Sequence, residues 1–122
     1  MAMGHVHVDA EVVGSKGVGR FRALVDTGAT YTVIPRKVAE ELGVVTTGRR
    51  IRVATARGEA FLEEGVAVIR LMGEERANVV LISDDVDRVL VGVTTLETFG
   101  LRVNPITRRL ERVGVLLFNL RQ

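Results

Sequence analysis

Val6, Val8, Ala10 and Val12 alternate with His5, His7, Asp9 and Glu11. That is the two-residue period of a strand with one buried face. Gly14-Ser15-Lys16-Gly17 supplies a turn. Arg20 and Arg22 then alternate with Phe21, Ala23 and Val25, which predicts a partner strand. A β-branched run from Tyr31 to Ile34 follows and stops at Pro35. Residues 36–43 begin beside that proline, continue in good helix formers and end on Gly43, so they predict a short helix with Val38, Ala39 and Leu42 facing the core. Its charged face is read as solvated surface.

Two extended arms, Arg49–Ala56 and Glu59–Leu62, flank Arg57-Gly58 and predict a hairpin. Val66–Met72 and Ala77–Ile82 are two more strands, joined through Gly73-Glu74-Glu75. Ser83–Asp87 is an acidic loop without the spaced ligands of a calcium loop. Thr94–Phe99 with Gly100 predicts a second short helix, and Leu101–Val103 and Leu110–Val113 flank a turn at Asn104-Pro105. Val115–Leu120 is too apolar for a solvated tail and is expected either to cover its own core or to meet a partner subunit.

Composition narrows the class. Of 122 residues 47% are apolar, enough for the core of one domain spanning 1–122. There is no cysteine, which excludes disulfides, a thiolate nucleophile and a cysteine zinc site. The N-terminus lacks a long apolar segment and no stretch is long enough to span a membrane, so a cytoplasmic protein with no membrane partner is expected. Net charge is only +2, and the arginines are scattered from Arg20 to Arg121 rather than gathered on one helix. With few aromatics, that argues against nucleic acid. His5 and His7 share one strand face but have no third ligand, so no metal is expected.

The chemistry concentrates at Ala23-Leu24-Val25-Asp26-Thr27-Gly28-Ala29. Asp26 sits where a buried strand stops and before another begins. A carboxylate on a rigid loop between core strands is well placed for catalysis. Gly28 is expected to supply a positive φ in the turn.

Asp26-Thr27-Gly28-Ala29, two residues, then Thr32-Val33 resembles the retropepsin-like aspartic proteases, and a cellular prokaryotic-type member in particular. A second element, Leu90-Val91-Gly92 followed by a helix-like segment, strengthens the resemblance, which covers roughly positions 6 to 113. It implies a mainly β, retropepsin-like closed barrel with one or two short helices. It implies an aspartic endopeptidase acting on polypeptides without a cofactor, with Asp26 catalytic and Thr27, Gly28 and Ala29 supporting its loop. Ala56, Arg57 and Gly58 become the tip of a substrate-covering flap, and Leu90, Val91 and Gly92 pack beneath the site. A single Asp-Thr-Gly per chain implies a homodimer that brings two Asp26 carboxylates together. Thr30, Tyr31 and Val93 stand where viral members carry two acids and an arginine. The alternative is a catalytically weak dimerisation or peptide-binding module of the same fold.

Overall fold

The computed structural model describes residues 5–113. The apolar Val115–Leu120 segment lies outside the described residues. Nine strands and two helices follow in the order β1 (Val6–Val13), β2 (Val18–Val25), β3 (Thr32–Pro35), α1 (Arg36–Leu42), β4 (Val45–Thr55), β5 (Gly58–Leu71), β6 (Glu74–Ser83), β7 (Leu90–Val91), α2 (Val93–Thr98), β8 (Leu101–Asn104) and β9 (Arg109–Arg112).

Seven strands form one sheet in the order β1-β2-β7-β3-β6-β5-β4. It closes because β1 also pairs with β5, Ala10 opposite Leu71 and Val13 opposite Val68. β4 and β1 share one edge of β5, end to end, while β6 takes the other. The fold is therefore the expected mainly β closed barrel with two short helices. β8 and β9 form a separate hairpin.

Side-chain alternation decides what fills the ring. Ala10 and Val12 of β1 are fully buried, as are Ala23, Ile34, Ile69, Leu71, Val80, Ile82 and Val91 from the other strands. Each large aliphatic side chain removed from water contributes about 1.5–3 kcal/mol. Leu96, Phe99 and Leu101 join the same core. Ala39 of α1 is buried, with Val38 and Leu42 packed against the core at partial burial.

Several element ends differ from expectation. β4 begins at Val45 rather than near Arg49, and β6 begins at Glu74. Thr46, Thr47 and Arg76 are exposed, so these ends carry no apolar alternation that would announce a strand. The β5–β6 turn is the dipeptide Met72-Gly73, with φ of 51° and 82°. Two successive left-handed residues make the primed turn that suits strand twist.

Across the seam of the barrel runs a charged row. Glu11 of β1 bonds Arg20 of β2 at 2.8 Å and Arg70 of β5 at 3.0 Å, and Arg70 in turn reaches Glu75 of β6. The Arg70 hydrogen bond, then that of Arg20, holds the Glu11 carboxyl below its usual range. A depressed folded value means the stabilisation is present above the unfolded value and is lost as pH falls through the folded one. Glu11→Gln should therefore lower the melting temperature near neutrality. The gap from the parent should close as pH falls through and then below the ordinary glutamate range. Parallel melting curves for parent and variant across that range would contradict the assignment.

Candidate active site

β2 delivers Asp26 and β3 carries the chain away. Between them runs β7, parallel to β2 through Leu24–Leu90 and Val25–Val91, and antiparallel to β3 through Val33–Leu90. The Asp26 amide continues this ladder by donating to Val91 O at 2.9 Å. Ala29 N donates to Asp26 O at 3.1 Å and closes a tight turn. Inside that turn Gly28 N donates to Asp26 Oδ1 at 2.9 Å. The carboxylate is thus oriented by its own loop while remaining half-buried, with Thr27 and Gly28 exposed and Ala29 half-buried.

Gly28 does not have the left-handed φ expected of it; positive φ among the glycines falls at Gly43, Gly48, Gly58, Gly73 and Gly100. The close approach of its backbone to Asp26 is the better reason for a glycine. A Cβ there would stand 3.3 Å from Asp26 Oδ1, so the carboxylate would have to give by a few tenths of an ångström.

The loop is fixed from below by Gly92 and α2. Gly92 N donates to Thr32 Oγ1 at 3.0 Å, and Thr32 Oγ1 is hydrogen-bonded to Thr95 Oγ1 at 2.7 Å. Both threonines are fully buried, so neither hydroxyl has water as an alternative partner. Gly92 offers no side chain to cap α2. Loop carbonyls take that role: Val93 N donates to Ala29 O and Thr94 N to Thr30 O, both at 2.9 Å, and the Thr94 hydroxyl also donates to Thr30 O. The first-turn donors of the helix thereby hold the outgoing half of the Asp26 loop.

β4 and β5 extend past the barrel. β5 pairs with β6 only from Glu63 onward, so residues 58–62 have β4 as their one strand neighbour. At the tip, Thr55 Oγ1 donates to Gly58 O at 2.8 Å and accepts from Arg57 N at 3.2 Å. Ala56, Arg57 and Gly58 are all exposed. Phe61, 58% exposed, has the same strand parity as the buried Ala67, Ile69 and Leu71, which puts it on the hairpin face that continues the core side.

The structure thus brings Asp26, Thr27, Gly28 and Ala29 into one loop with Leu90, Val91 and Gly92 against it. Ala56, Arg57 and Gly58 form the end of the projecting hairpin. Thr32, read from sequence only as part of the motif, belongs to the same assembly, as do Thr94 and Thr95, which were not singled out. The Thr32–Thr95 bond joins residues 63 apart, which no local pattern reveals. Among the described residues no group of three or more His, Asp or Glu side chains could hold a metal ion. No helix among them is long and apolar enough to cross a membrane.

A single Asp-Thr-Gly loop, clamped by a Val-Gly strand inside a closed barrel, is the architecture of one retropepsin half. Residues 12–98 match the family described as "gag-polyprotein putative aspartyl protease". The chain belongs to the retropepsin-like aspartic protease family. Two solved structures share its fold. The EIAV protease, determined with the inhibitor HBY-793, superposes with a TM-score of 0.66 at 16% identity, over 83% of this chain and 93% of that one. The simian foamy virus (mac) protease, a solution structure, gives a TM-score of 0.56 at 22% identity, over 76% of this chain and 93% of the other. Comparison with curated protein sequences finds no significant match.

Proposed function

We propose that the protein is an aspartic endopeptidase that assembles as a homodimer, with one Asp26 from each subunit at the two-fold axis. The observation that carries this is the Asp26 loop itself. Its carboxylate accepts from Gly28 N–H, its main chain is held to β7, and Asp26 stays only half-buried beside the exposed Thr27 and Gly28. Two carboxylates about 3 Å apart, as in aspartic proteases generally, share one proton because both cannot ionise that close. The ionised one takes a proton from a water, whose oxygen attacks the scissile carbonyl carbon. The protonated one gives its proton to the carbonyl oxygen. Collapse of the tetrahedral intermediate breaks the C–N bond, and a proton passes to the leaving nitrogen. Thr27 is read as the residue whose hydroxyl ties the two loops across the axis, Gly28 as main chain facing the peptide, and Ala29 as support of the loop.

The β4–β5 hairpin is read as the flap. A polypeptide can enter only if such a lid opens, so its tip should move. Gly58 has a φ of 118°, and a Cβ there would meet nothing within 4 Å. Gly58→Val therefore strains the turn without a clash. It should reduce kcat/KM by about tenfold and leave the melting temperature close to that of the parent. Unchanged kinetics would make the hairpin plain surface.

The test of the reading is cleavage of an unfolded protein by the pure chain, with and without pepstatin. Pepstatin-sensitive cleavage supports it. A folded, dimeric protein that cuts nothing would instead favour the dimerisation or peptide-binding module.

A further inference from the structure

Arg36 opens α1, directly after β3 has carried the chain away from the Asp26 loop. Its guanidinium meets two carboxylates that lie far apart in sequence. Nη1 donates to Glu63 Oε1 at 3.1 Å, and Nε donates to Asp84 Oδ1.

The position of each partner matters. Glu63 pairs with Ile82 on the last rung of the β5–β6 ladder, and beyond it the hairpin leaves the barrel. Glu63 is therefore the root of the flap. Asp84 follows β6 immediately and begins the loop that leads to β7 and Gly92. Cross-strand pairs such as Arg20–Glu11 reinforce a ladder that exists without them. Arg36 instead sits where two ladders run out, beside the Pro35–Ser83 and Glu63–Ile82 rungs, and spans three strand ends at once: the end of β3, which leaves the Asp26 loop, the root of the flap on β5 and the start of the loop into β7. The Arg36 and Glu63 side chains are 37% and 33% exposed, so this pair is partly shielded from solvent. The hydrogen bond to Asp84, then that to Glu63, raises the guanidinium further above its ordinary range. A planar fork can serve two acceptors at once; an ammonium on a flexible stem holds such a geometry poorly.

We propose that Arg36 is a positioning residue that anchors the flap root to the Asp26 loop and so sets how readily the flap opens and closes. The kinetic consequence rests on the peptidase reading; the mechanical one does not. Amide hydrogen exchange, followed by mass spectrometry on the full chain, separates the two. In Arg36→Gln, exchange in residues 50–62 should quicken by roughly fivefold, the effect of losing two partly exposed ion pairs, while β2 keeps its parent rate. Glu63→Ala should act similarly and Arg36→Lys should fall between. With a peptide substrate, KM should rise more than kcat falls, because a flap that closes less readily holds substrate less well.

Exchange in 50–62 that stays at the parent rate in folded Arg36→Gln would overturn the proposal. So would an increase shared equally by β2, which marks general destabilisation. Should Arg36→Gln fail to fold, Glu63→Ala removes only the flap's half of the contact and decides by the same readout. An inactive parent would count against the peptidase reading and leave the exchange result to stand by itself.

Discussion

Asp26→Asn is expected to abolish peptide hydrolysis while the protein keeps its fold. The asparagine side-chain oxygen can still accept the hydrogen bond from Gly28 N, which now meets Asp26 Oδ1 at 2.9 Å. The turn closed by Ala29 N and Asp26 O involves only main chain and is untouched. What is lost is the proton: an amide neither takes one from water nor carries one to a carbonyl oxygen. In the proposed homodimer the two carboxylates are copies, so one substitution removes both. The loss in kcat should be about four orders of magnitude or more, the scale seen when a catalytic side chain is deleted elsewhere. Stability should not fall, since in the proposed dimer no carboxylate charge is then held at the axis. A mixed dimer with one Asp and one Asn should also be inactive, since neither role can be filled by an amide. An Asn variant that cleaves a denatured protein as fast as the parent would remove Asp26 from the chemistry.

Gly92→Ala is expected to damage the fold itself. A Cβ at Gly92 would lie 2.4 Å from both C and O of Tyr31 and 2.9 Å from Thr32 N. All three are backbone atoms of the segment leaving the Asp26 loop, so no side chain can swing aside. Any shift that relieves the clash also disturbs the Gly92 N–Thr32 Oγ1 bond and exposes the buried Thr32–Thr95 pair to being unpaired. A cost of about 3–5 kcal/mol follows, which for a domain of this size is a fall of roughly 10–20 °C in melting temperature. Gly17→Ala is the control, because a Cβ there meets nothing within 4 Å. A Gly92 variant that melts with the Gly17 control would show that the strand–helix junction has slack the structure does not display.

These two residues were legible in the sequence for different reasons. Asp26 stands out because an apolar run stops at it and a β-branched run resumes after Ala29. Gly92 stands out only through the family pattern, since the contact that demands a glycine is with Tyr31, far away along the chain. The barrel strands were readable wherever one face is buried, as in the Val6–Val12 alternation. They were not readable at the start of β4 or β6, where both faces meet solvent and alternation vanishes. Arg36 was taken for part of a solvated helix face. Its composition suggests nothing else, and only the fold brings Glu63 and Asp84 to it. Gly28 was expected to need a positive φ; the structure instead shows its backbone lying close to Asp26 Oδ1.

The central claim is that two chains together make one site. The most direct measurement is a crystal structure of the assembled protein, read at one distance, that between the two Asp26 carboxylates. The expected result is a two-fold dimer in which they lie about 3 Å apart, within hydrogen-bond reach of each other and of one shared water. A dimer with its Asp26 side chains on remote faces, or a protein that stays monomeric while cleaving peptides, would contradict it.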